Sequence, residues 1–387
     1  MKLFASTFKT SAIALVAASS SLVAAENSQA PYLSLKLEME HAITKGNQYL
    51  KSTQDEKGFW KNDKIPAYTA LALTAARRSP NEDDASAPHV KKGYEWLIAQ
   101  QHKDGGIYVK GLATYNTSTS LMALSASGDP AHKENILSAR RFLINLQQDW
   151  DIKGETDNPN DGGIGYGGSY PHSDMSNTYL AIEALKLSEA YAKDSAKRQP
   201  ELNWDAAIQF ISRTQNLEET NDQEGISNDG SFVYFPGNSK AGTQKDKDGR
   251  ETLRGYGSMS YAGLLSFIYA DLDEDDVRVK AVKQWLNDNY TLEENPGLGE
   301  QGLFYYYHVM AKALTAAGID TLKTKDGSEH DWRKALATRV LTSQQKDGSW
   351  VNENARWWEN EPELVTSYAV LTLEQIYHSI PQPLKGK

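Results

Sequence analysis

The chain has 387 residues, of which 51 are Asp or Glu and 41 are Lys or Arg, so its formal net charge at pH 7 is −10. A hydrophobic fraction of 39% allows a large folded core and excludes a simple disordered chain. The absence of cysteine excludes disulfides, thiolate nucleophiles and cysteine-ligated metal sites. The acidic balance, without a cluster of Lys and Arg, argues against a nucleic-acid partner.

The first 25 residues have the features of a secretory signal peptide. Lys2 and Lys9 give a positive start, residues 11–18 (SAIALVAA) form a short apolar run, and residues 23–25 (VAA) supply small side chains for cleavage. This apolar run is too short to span a bilayer, and no other window approaches about 20 apolar residues. We expect an exported protein without a transmembrane segment, periplasmic or extracellular after cleavage near Ala25. Export also limits access to ATP and nicotinamide pools, so no cofactor is expected.

Six segments further along the chain share one pattern of an amphipathic helix, a glycine-containing turn and an apolar helix. Repeats of this kind are typical of closed or stacked repeat architectures. The turns favour Asp-Gly and related pairs, because glycine accepts positive φ without steric cost. The six turns begin at Gln54, Gln101, Asn160, Asn228, Gln301 and Gln345.

The helices after the turns, such as TALALTAA and TSYAVLTL, are apolar nearly all round, whereas those before the turns carry charge on one face. Helices that are apolar on every side are buried, so we expect an inner and an outer layer. The sequence therefore predicts an all-α fold, an (α/α)6 toroid of six inner and six outer helices. A small polar residue marks each inner helix, at Thr69, Thr119, Thr178, Ser260 and Thr366, with His308 in its place in the fifth repeat.

Length alone favours two or three domains, because domains average about 150 residues. The alternation of six helix pairs instead predicts a single toroid domain at residues 41–380. We place a signal peptide (1–25) and an N-terminal extension (26–40) before it, and a C-terminal tail (381–387) after it.

The turn at residues 344–350 (QQKDGSW), with weaker copies in the other repeats, resembles the QW-type repeat of the terpene-cyclase and protein-prenyltransferase β-subunit superfamily. The resemblance covers roughly residues 40–380. Segments such as GGIGYGG and GSMSYAGLLSFIYA look like an exported bacterial branch with squalene-cyclase-type repeats. The resemblance implies the toroid and leaves the reaction open, since one fold hosts several chemistries.

The catalytic motifs that this resemblance implies are only partly present. Squalene-hopene-type cyclases protonate an alkene with an Asp of a D-x-D-D motif at the start of an inner helix, and here only Asp174 stands at that place. The acidic run at residues 273–276 (DEDD) precedes an outer helix, which favours a helix N-cap. Protein prenyltransferases hold Zn²⁺ with Asp, Cys and His, a ligand set that this chain does not supply. We predict no metal site and leave open whether the protein is an enzyme.

Candidate functional residues lie at the starts of the inner helices and beside the turns. We name His308, Asp174 and Tyr307 as candidate catalytic residues, because such side chains move protons. A helix cap at Asp174 and a hydrogen-bonded core position for His308 are the structural alternatives. The candidate ligand-pocket residues are Asn177, His172, Tyr166, Tyr234, Tyr256, Tyr261, Tyr305, Tyr306, Trp350, Trp357 and Trp358. Residues 217–258 have little periodicity, which is typical of a lid, a binding loop or disorder.

An aromatic pocket at the mouth of the toroid suits two ligand classes. Aromatic faces stabilise cations and cover isoprenoid chains, and they also stack on sugar rings. The sequence indicates an exported toroid that binds or transforms an isoprenoid or other apolar ligand. A polysaccharide lyase-like carbohydrate-processing protein and a non-catalytic binding scaffold are the alternatives. The expected partner is a small apolar or glycan ligand, and the sequence leaves the oligomeric state open.

Overall fold

The computed structural model describes the backbone of residues 11–168 and 172–380, and the side chains of residues 32–168 and 172–380. The predicted signal peptide (1–25) and C-terminal tail (381–387) lie outside the residues whose side chains are described. Among the described residues, no helix combines the length and apolar character that crossing a bilayer requires.

Helices dominate the described chain, with two small strand hairpins on loops. The helices are α1 (Ser11–Thr53), α2 (Pro66–Arg78), α3 (Glu82–Ser86), α4 (Pro88–Ala99), α5 (Ala113–Ser127), α6 (Lys133–Ile144), α7 (Met175–Leu187), α8 (Glu189–Lys193), α9 (Trp204–Arg213), α10 (Gly257–Tyr269), α11 (Val277–Asp288), α12 (Leu303–Ala316), α13 (Trp332–Thr342) and α14 (Pro362–Ser379). The antiparallel hairpins pair β1 (Thr243–Lys245) with β2 (Glu251–Leu253) and β3 (Thr321–Lys323) with β4 (Glu329–Asp331). Short 3-10 turns occur at Pro130–His132 and Arg356–Trp358.

Six helices form a closed inner ring, in which α2, α5, α7, α10, α12 and α14 each pack on the next and α14 packs on α2. The chain returns through an outer helix after each inner one, so the inner helices run in the same direction and start at one end. They are buried on nearly all sides, and in α10 every residue from Gly257 to Phe267 is buried. The predicted all-α (α/α)6 toroid is confirmed.

The outer layer consists of α1, α4, α6, α9, α11 and α13. These helices are amphipathic, as α4 illustrates: Val90, Tyr94 and Leu97 are buried at helical spacing, while Lys91 and Glu95 between them are exposed. One buried stripe against the inner ring is therefore what holds each outer helix in place.

Side-chain caps define several helix starts. Asp174, Asn203 and Asp331 each accept a backbone N–H in the first turn of α7, α9 and α13. Asp276 caps α11 in the same way, through a 2.9 Å hydrogen bond from the N–H of Arg278. The N-cap interpretation of the acidic run at residues 273–276 is therefore confirmed.

The repeat turns share one hydrogen-bond arrangement. A glutamine side-chain amide donates to the carbonyl of the turn glycine and to a carbonyl of the following outer helix or its cap. The acceptors are Gly58 and His89 for Gln54, Gly105 and Asn135 for Gln101, Gly162 and Asn203 for Gln147, Gly230 and Arg278 for Gln215, and Gly348 and Ala42 for Gln344. The last of these bonds joins the final repeat to α1 and so closes the outer layer.

A second set of bonds ties each turn to its inner helix. The residue after the turn donates its backbone N–H to a helix hydroxyl, in the pairs Trp60–Thr69, Ile107–Thr117, Ile164–Thr178, Phe232–Ser260 and Trp350–Thr366. In the second repeat the partner is Thr117 and not the predicted Thr119, whose hydroxyl donates to the carbonyl of Tyr115.

The fifth repeat departs from this arrangement. Thr178 and Ser260 are the fourth residues of α7 and α10, and the fourth residue of α12 is Tyr306. In α5 and α14 the bonded hydroxyls of Thr117 and Thr366 are at the fifth residue, so His308, the sixth residue of α12, lies one or two residues beyond the place of these hydroxyls. The prediction that His308 takes their place is therefore wrong. The turn itself is formed by a bridge between Asn295 and Gly299.

Helix α1 continues without a break through the predicted domain boundary at residue 41. Leu35 and Met39 are buried in the core, at 9% and 0% exposure. The Tyr32 hydroxyl donates a 2.6 Å hydrogen bond to Asp331 at the cap of α13. The toroid core thus takes in residues of the segment that we assigned to an N-terminal extension.

Candidate ligand-binding site

A cavity of about 290 Å³ opens at the end of the toroid where the inner helices start. Its wall includes Tyr115 of α5, Asn177 of α7, Met259 of α10, Tyr305 of α12 and Tyr368 of α14. All five residues lie in the first two turns of their helices. The common direction of the inner helices therefore gathers their first turns around one space.

Eight of the eighteen described residues in the cavity wall are aromatic. They are Tyr115, Tyr166, Tyr234, Tyr256, Tyr305, Tyr368, Trp357 and Trp358. The hydroxyls of Tyr115 and Tyr368 lie 2.9 Å apart and those of Tyr166 and Tyr234 lie 2.7 Å apart, so these phenols hydrogen-bond in pairs. Burial raises the pKa of Tyr115 to about 12, which keeps this phenol neutral at physiological pH. Four of the six tyrosine hydroxyls are thus paired, which leaves the rings of these residues as apolar surface in the wall, while the Tyr305 hydroxyl has no hydrogen-bond partner among the described residues.

Two tryptophans and two cations border the mouth of the cavity. Trp357 and Trp358 are 39% and 45% exposed. Both have positive φ, 55° and 63°, a conformation that costs free energy for residues other than glycine. Lys240 Nζ lies 4.1 Å from the ring centroid of Tyr234, and Arg356 Cζ lies 5.1 Å from the ring of Trp357.

Glu359 anchors the tryptophan segment to the start of α12. Its carboxylate accepts hydrogen bonds from the N–H groups of Phe304 (3.2 Å) and Tyr305 (2.8 Å) and from Asn352 Nδ2 (2.8 Å). A carboxylate at a helix N-terminus is stabilised by the helix dipole. Burial raises the pKa of Glu359, although these hydrogen bonds act in the opposite direction. The anchor places Trp357 and its neighbours at the mouth despite their unfavourable backbone angles.

Asp174 lies behind the cavity wall, as the N-cap of α7. The carboxylate is fully buried and accepts hydrogen bonds from the backbone N–H (2.9 Å) and side-chain amide (2.8 Å) of Asn177. Burial raises the pKa of Asp174 to about 6, although the hydrogen bonds from Asn177 act in the opposite direction. Among the described residues, Asn177 and Tyr234 line the cavity and Asp174 does not.

The other two candidate catalytic residues lie away from the cavity. His308 is buried one turn beyond Tyr305, with its ring centroid 5.6 Å from that of Tyr368. Burial, with a smaller contribution from Lys312, lowers the pKa of His308 well below its usual range, so the ring is neutral. Tyr307 donates its hydroxyl proton to the Leu292 carbonyl on the other side of α12. The structure therefore does not bring the three candidates together.

Most of the predicted pocket residues line the cavity, namely Tyr166, Asn177, Tyr234, Tyr256, Tyr305, Trp357 and Trp358. Tyr261, Tyr306, Trp350 and His172 are not among the described lining residues. Trp350 is a core residue, because its indole N–H donates to the Val340 carbonyl at 2.8 Å and the side chain is fully buried. His172 stacks on Phe235 at a centroid distance of 4.5 Å.

Sequence reasoning missed five important wall residues, Tyr115, Tyr368, Lys240, Arg356 and Glu359. Tyr115 had a usable signal, because it is the third residue of α5 as Tyr305 is of α12. Lys240 and Arg356 lie on loops without a repeat pattern, so no periodicity marks them. Within the described residues, no three His, Asp or Glu side chains are grouped as metal ligands.

Solved structures with the same architecture include a type II terpene cyclase, MstE from Scytonema. Its apo structure matches with a TM-score of 0.55 and 12% identity, over 89% of this chain and 99% of that chain. A variant of the same cyclase in complex with geranylgeranyl dihydroxybenzoate (substrate) gives a TM-score of 0.54, with the same identity and coverage. The chain has the terpene-cyclase-like toroid fold.

Toroids named as carbohydrate enzymes are similar to a comparable degree. A glycosyl hydrolase of family 88 from Bacteroides vulgatus gives a TM-score of 0.51, with 12% identity over 89% of this chain and 99% of that chain. A possible member of the GH105 family from Salmonella enterica gives 0.50, with 12% identity over 89% and 94%. No protein-family profile and no curated protein matches the sequence. At these identities the likeness shows the fold alone.

Proposed function

We propose that this toroid binds an isoprenoid or a similar apolar ligand in its aromatic cavity. The observation that carries the proposal is the presence of eight aromatic side chains in the wall, where the hydroxyls of four of the six tyrosines pair with one another and leave ring surface for the ligand. Burying a hydrocarbon chain against such a wall is favourable by about 25 cal/mol for each Å² removed from water. Met259, Leu112 and Leu364 extend the apolar part of the wall.

The repeat architecture supports a relation to proteins with squalene-cyclase-type repeats. Five of the turns use the same glutamine bonds, and five bind a hydroxyl of the next inner helix. The fold neighbour MstE is described with a geranylgeranyl-bearing substrate, which is a statement about that protein. In the proposal the chain is an exported relative, with cleavage near Ala25.

Asp174 is the candidate proton donor for chemistry in the cavity. Burial raises the pKa of its carboxyl to about 6, and the carboxylate accepts hydrogen bonds from Asn177, whose side chain lines the cavity, so the acid lies directly behind the wall. The D-x-D-D motif of the cyclases is absent at this place. We therefore propose ligand binding, and the proposal also covers a binding protein without catalytic activity.

The exposed indoles of Trp357 and Trp358 favour a second candidate, a carbohydrate-processing toroid with a sugar ring stacked at the mouth. Glycoside hydrolysis usually needs two carboxyl groups flanking the scissile bond. Among the described lining residues, Glu359 is the one carboxylate, and its oxygens already accept three hydrogen bonds. The cavity wall therefore fits an apolar ligand better than a hydrolytic site.

Calorimetric titration with geranylgeraniol tests the proposal. Ser176 is half-buried in the cavity wall, so Ser176→Trp should fill the cavity and weaken binding by more than about tenfold, or about 1.4 kcal/mol. Ser52→Trp, on the exposed surface of α1, is the matched control and should bind as the wild type does. Absence of geranylgeraniol binding by the wild type, or unchanged binding by Ser176→Trp, would overturn the proposal. Binding of an acidic oligosaccharide in its place would favour the second candidate.

A further inference from the structure

We infer that the mouth of the cavity recognises an oxyanion, so that the ligand is an amphiphile with an apolar chain inside and a phosphate or carboxylate group against Lys240 and Arg356. This inference rests on the proposed function, because the aromatic wall binds the apolar part. It adds a charged group to the ligand and assigns two residues to its recognition.

The two cations are held at the edge of the aromatic wall. Lys240 Nζ lies over the ring of Tyr234 at 4.1 Å, and Arg356 lies over the ring of Trp357 at 5.1 Å. Contacts between cations and ring faces are attractive, by about 0.5–1 kcal/mol at exposed sites. The rings that line the cavity therefore also position its positive charges.

Neither cation is neutralised by a carboxylate within the part of the chain that the structure describes. Lys61 shows the contrast, because its ammonium pairs with Glu361 at 3.2 Å and with Glu363 at 3.7 Å. Lys240 and Arg356 consequently keep their charge available for a ligand.

The N-termini of the helices around the cavity also favour an anionic group at the mouth. Five inner helices begin at its wall, and a helix N-terminus carries about half a positive charge. Two of these termini already bind carboxylates of the chain, α7 that of Asp174 and α12 that of Glu359. Both carboxylates are buried and engaged by N–H groups, and Glu361 and Glu363 at the start of α14 pair with Lys61. Among the described lining residues, Lys240 and Arg356 are therefore the cations without a carboxylate partner.

An amphiphilic anion is the ligand class that uses both features. A neutral isoprenoid alcohol would contact the aromatic wall but would leave the two cations without a partner. An inorganic anion would contact the cations but not the aromatic wall. The chain as a whole has a net charge of −10, so an anion is repelled by most of the surface and attracted at this mouth. Lys240 and Arg356 come from two different loops, and together they offer a point charge and a planar fork of donors.

The test compares geranylgeranyl phosphate and geranylgeranoic acid with geranylgeraniol by calorimetry at low ionic strength. We expect at least one acid to bind the wild type about tenfold or more tightly than the alcohol, corresponding to about 1.4 kcal/mol. The tighter of the two acids identifies the head group. The double variant Lys240→Gln/Arg356→Gln should lose this preference, measured as the ratio of the acid and alcohol affinities of the same variant.

Lys103→Gln/Arg198→Gln is the matched control, because both side chains are exposed and neither lines the cavity. It should keep the preference for the acid. The inference is overturned if the alcohol binds the wild type as tightly as both acids, or if the preference survives in Lys240→Gln/Arg356→Gln. If none of the three ligands binds the wild type, the proposed function itself fails, which separates the two outcomes.

Discussion

Glu374 of α14 is a fully buried carboxyl group for which no hydrogen-bond donor reaches either oxygen among the described residues. Burial raises the pKa of Glu374 well above its usual range, and Arg78 only partly opposes the shift. A buried ion pair elsewhere in the interior, Lys312 with Glu183 at 2.7 Å, shows the alternative solution of a paired charge. Glu374 is therefore a neutral acid in the folded protein.

We predict that Glu374→Gln raises the free energy of unfolding at neutral and basic pH. The pKa of Glu374 is higher in the folded than in the unfolded protein. The wild type therefore has its full free energy of unfolding below the unfolded-state pKa, and this free energy falls as the pH rises toward the folded-state pKa. The loss amounts to about 1.4 kcal/mol for each pH unit in that window. Urea unfolding should show a clear gain for Glu374→Gln at pH 8 and a small difference at pH 4.

The exposed Glu329, replaced by Gln, is the control for this comparison and should change stability little at either pH. A Glu374→Gln protein that is less stable than the wild type at pH 8 would show that the buried carboxyl is ionised and satisfied.

The sequence was sufficient to select Asp174 and His308 as unusual residues, but it did not predict their burial or their hydrogen-bond partners. Both alternatives considered for Asp174 have support, because it caps α7 and also has a raised pKa beside the cavity wall. The position of His308 depended on the register of α12, which the irregular fifth turn hides. Burial and hydrogen-bond partners of single residues come from tertiary contacts, which a sequence pattern does not contain.

The repeat turn is the element that organises the toroid, because each glutamine amide joins a turn to the next outer helix. Gln147 illustrates the full set, donating to the carbonyls of Gly162 (3.0 Å) and Asn203 (2.9 Å) and accepting from the Asn203 N–H (2.9 Å). Gln301 of the fifth repeat is engaged through its backbone, since its carbonyl accepts from Asn295 and its N–H donates to the Leu298 carbonyl, and among the described residues its side chain has no hydrogen bond to a turn or an outer helix. The two glutamines therefore form a matched pair for experiment.

We predict that Gln147→Ala lowers the free energy of unfolding by about 1–3 kcal/mol, because it leaves the carbonyl of the buried Gly162 without this partner and removes two hydrogen bonds to the exposed Asn203. Gln301→Ala should change it by less than about 0.5 kcal/mol. Urea unfolding of both variants under the same conditions measures the difference. Equal losses would show that the glutamine bonds do not hold the repeats together.

The elements themselves were largely predictable from the sequence. Fully apolar helices alternating with one-faced helices, separated by Gly-containing turns, gave the inner and outer layers. The register inside α5 was not predictable, because its start (ATYNTSTS) offers a hydroxyl at most positions. Only the hydrogen bond from Ile107 selects Thr117 over Thr119.

At the scale of the whole molecule, closure of the ring creates the site. Five of the six inner helices start at the cavity wall and bring tyrosines from separate repeats together, which is why Tyr305 and Tyr256 could be predicted from their positions at helix starts. Lys240, Arg356 and Glu359 could not, because the paths of their long loops depend on contacts with other repeats. The wall residues at the starts of the inner helices could thus be predicted from the sequence, whereas the charged residues on the loops could not.

Photo-crosslinking with a diazirine analogue of geranylgeraniol, followed by peptide mapping, tests the central claim that the aromatic cavity binds an apolar chain. We predict adducts on wall residues such as Tyr305, Met259 and Trp357, and their loss when unlabelled geranylgeraniol is added in excess. Adducts spread over outer helices such as α4, undiminished by geranylgeraniol, would contradict the claim.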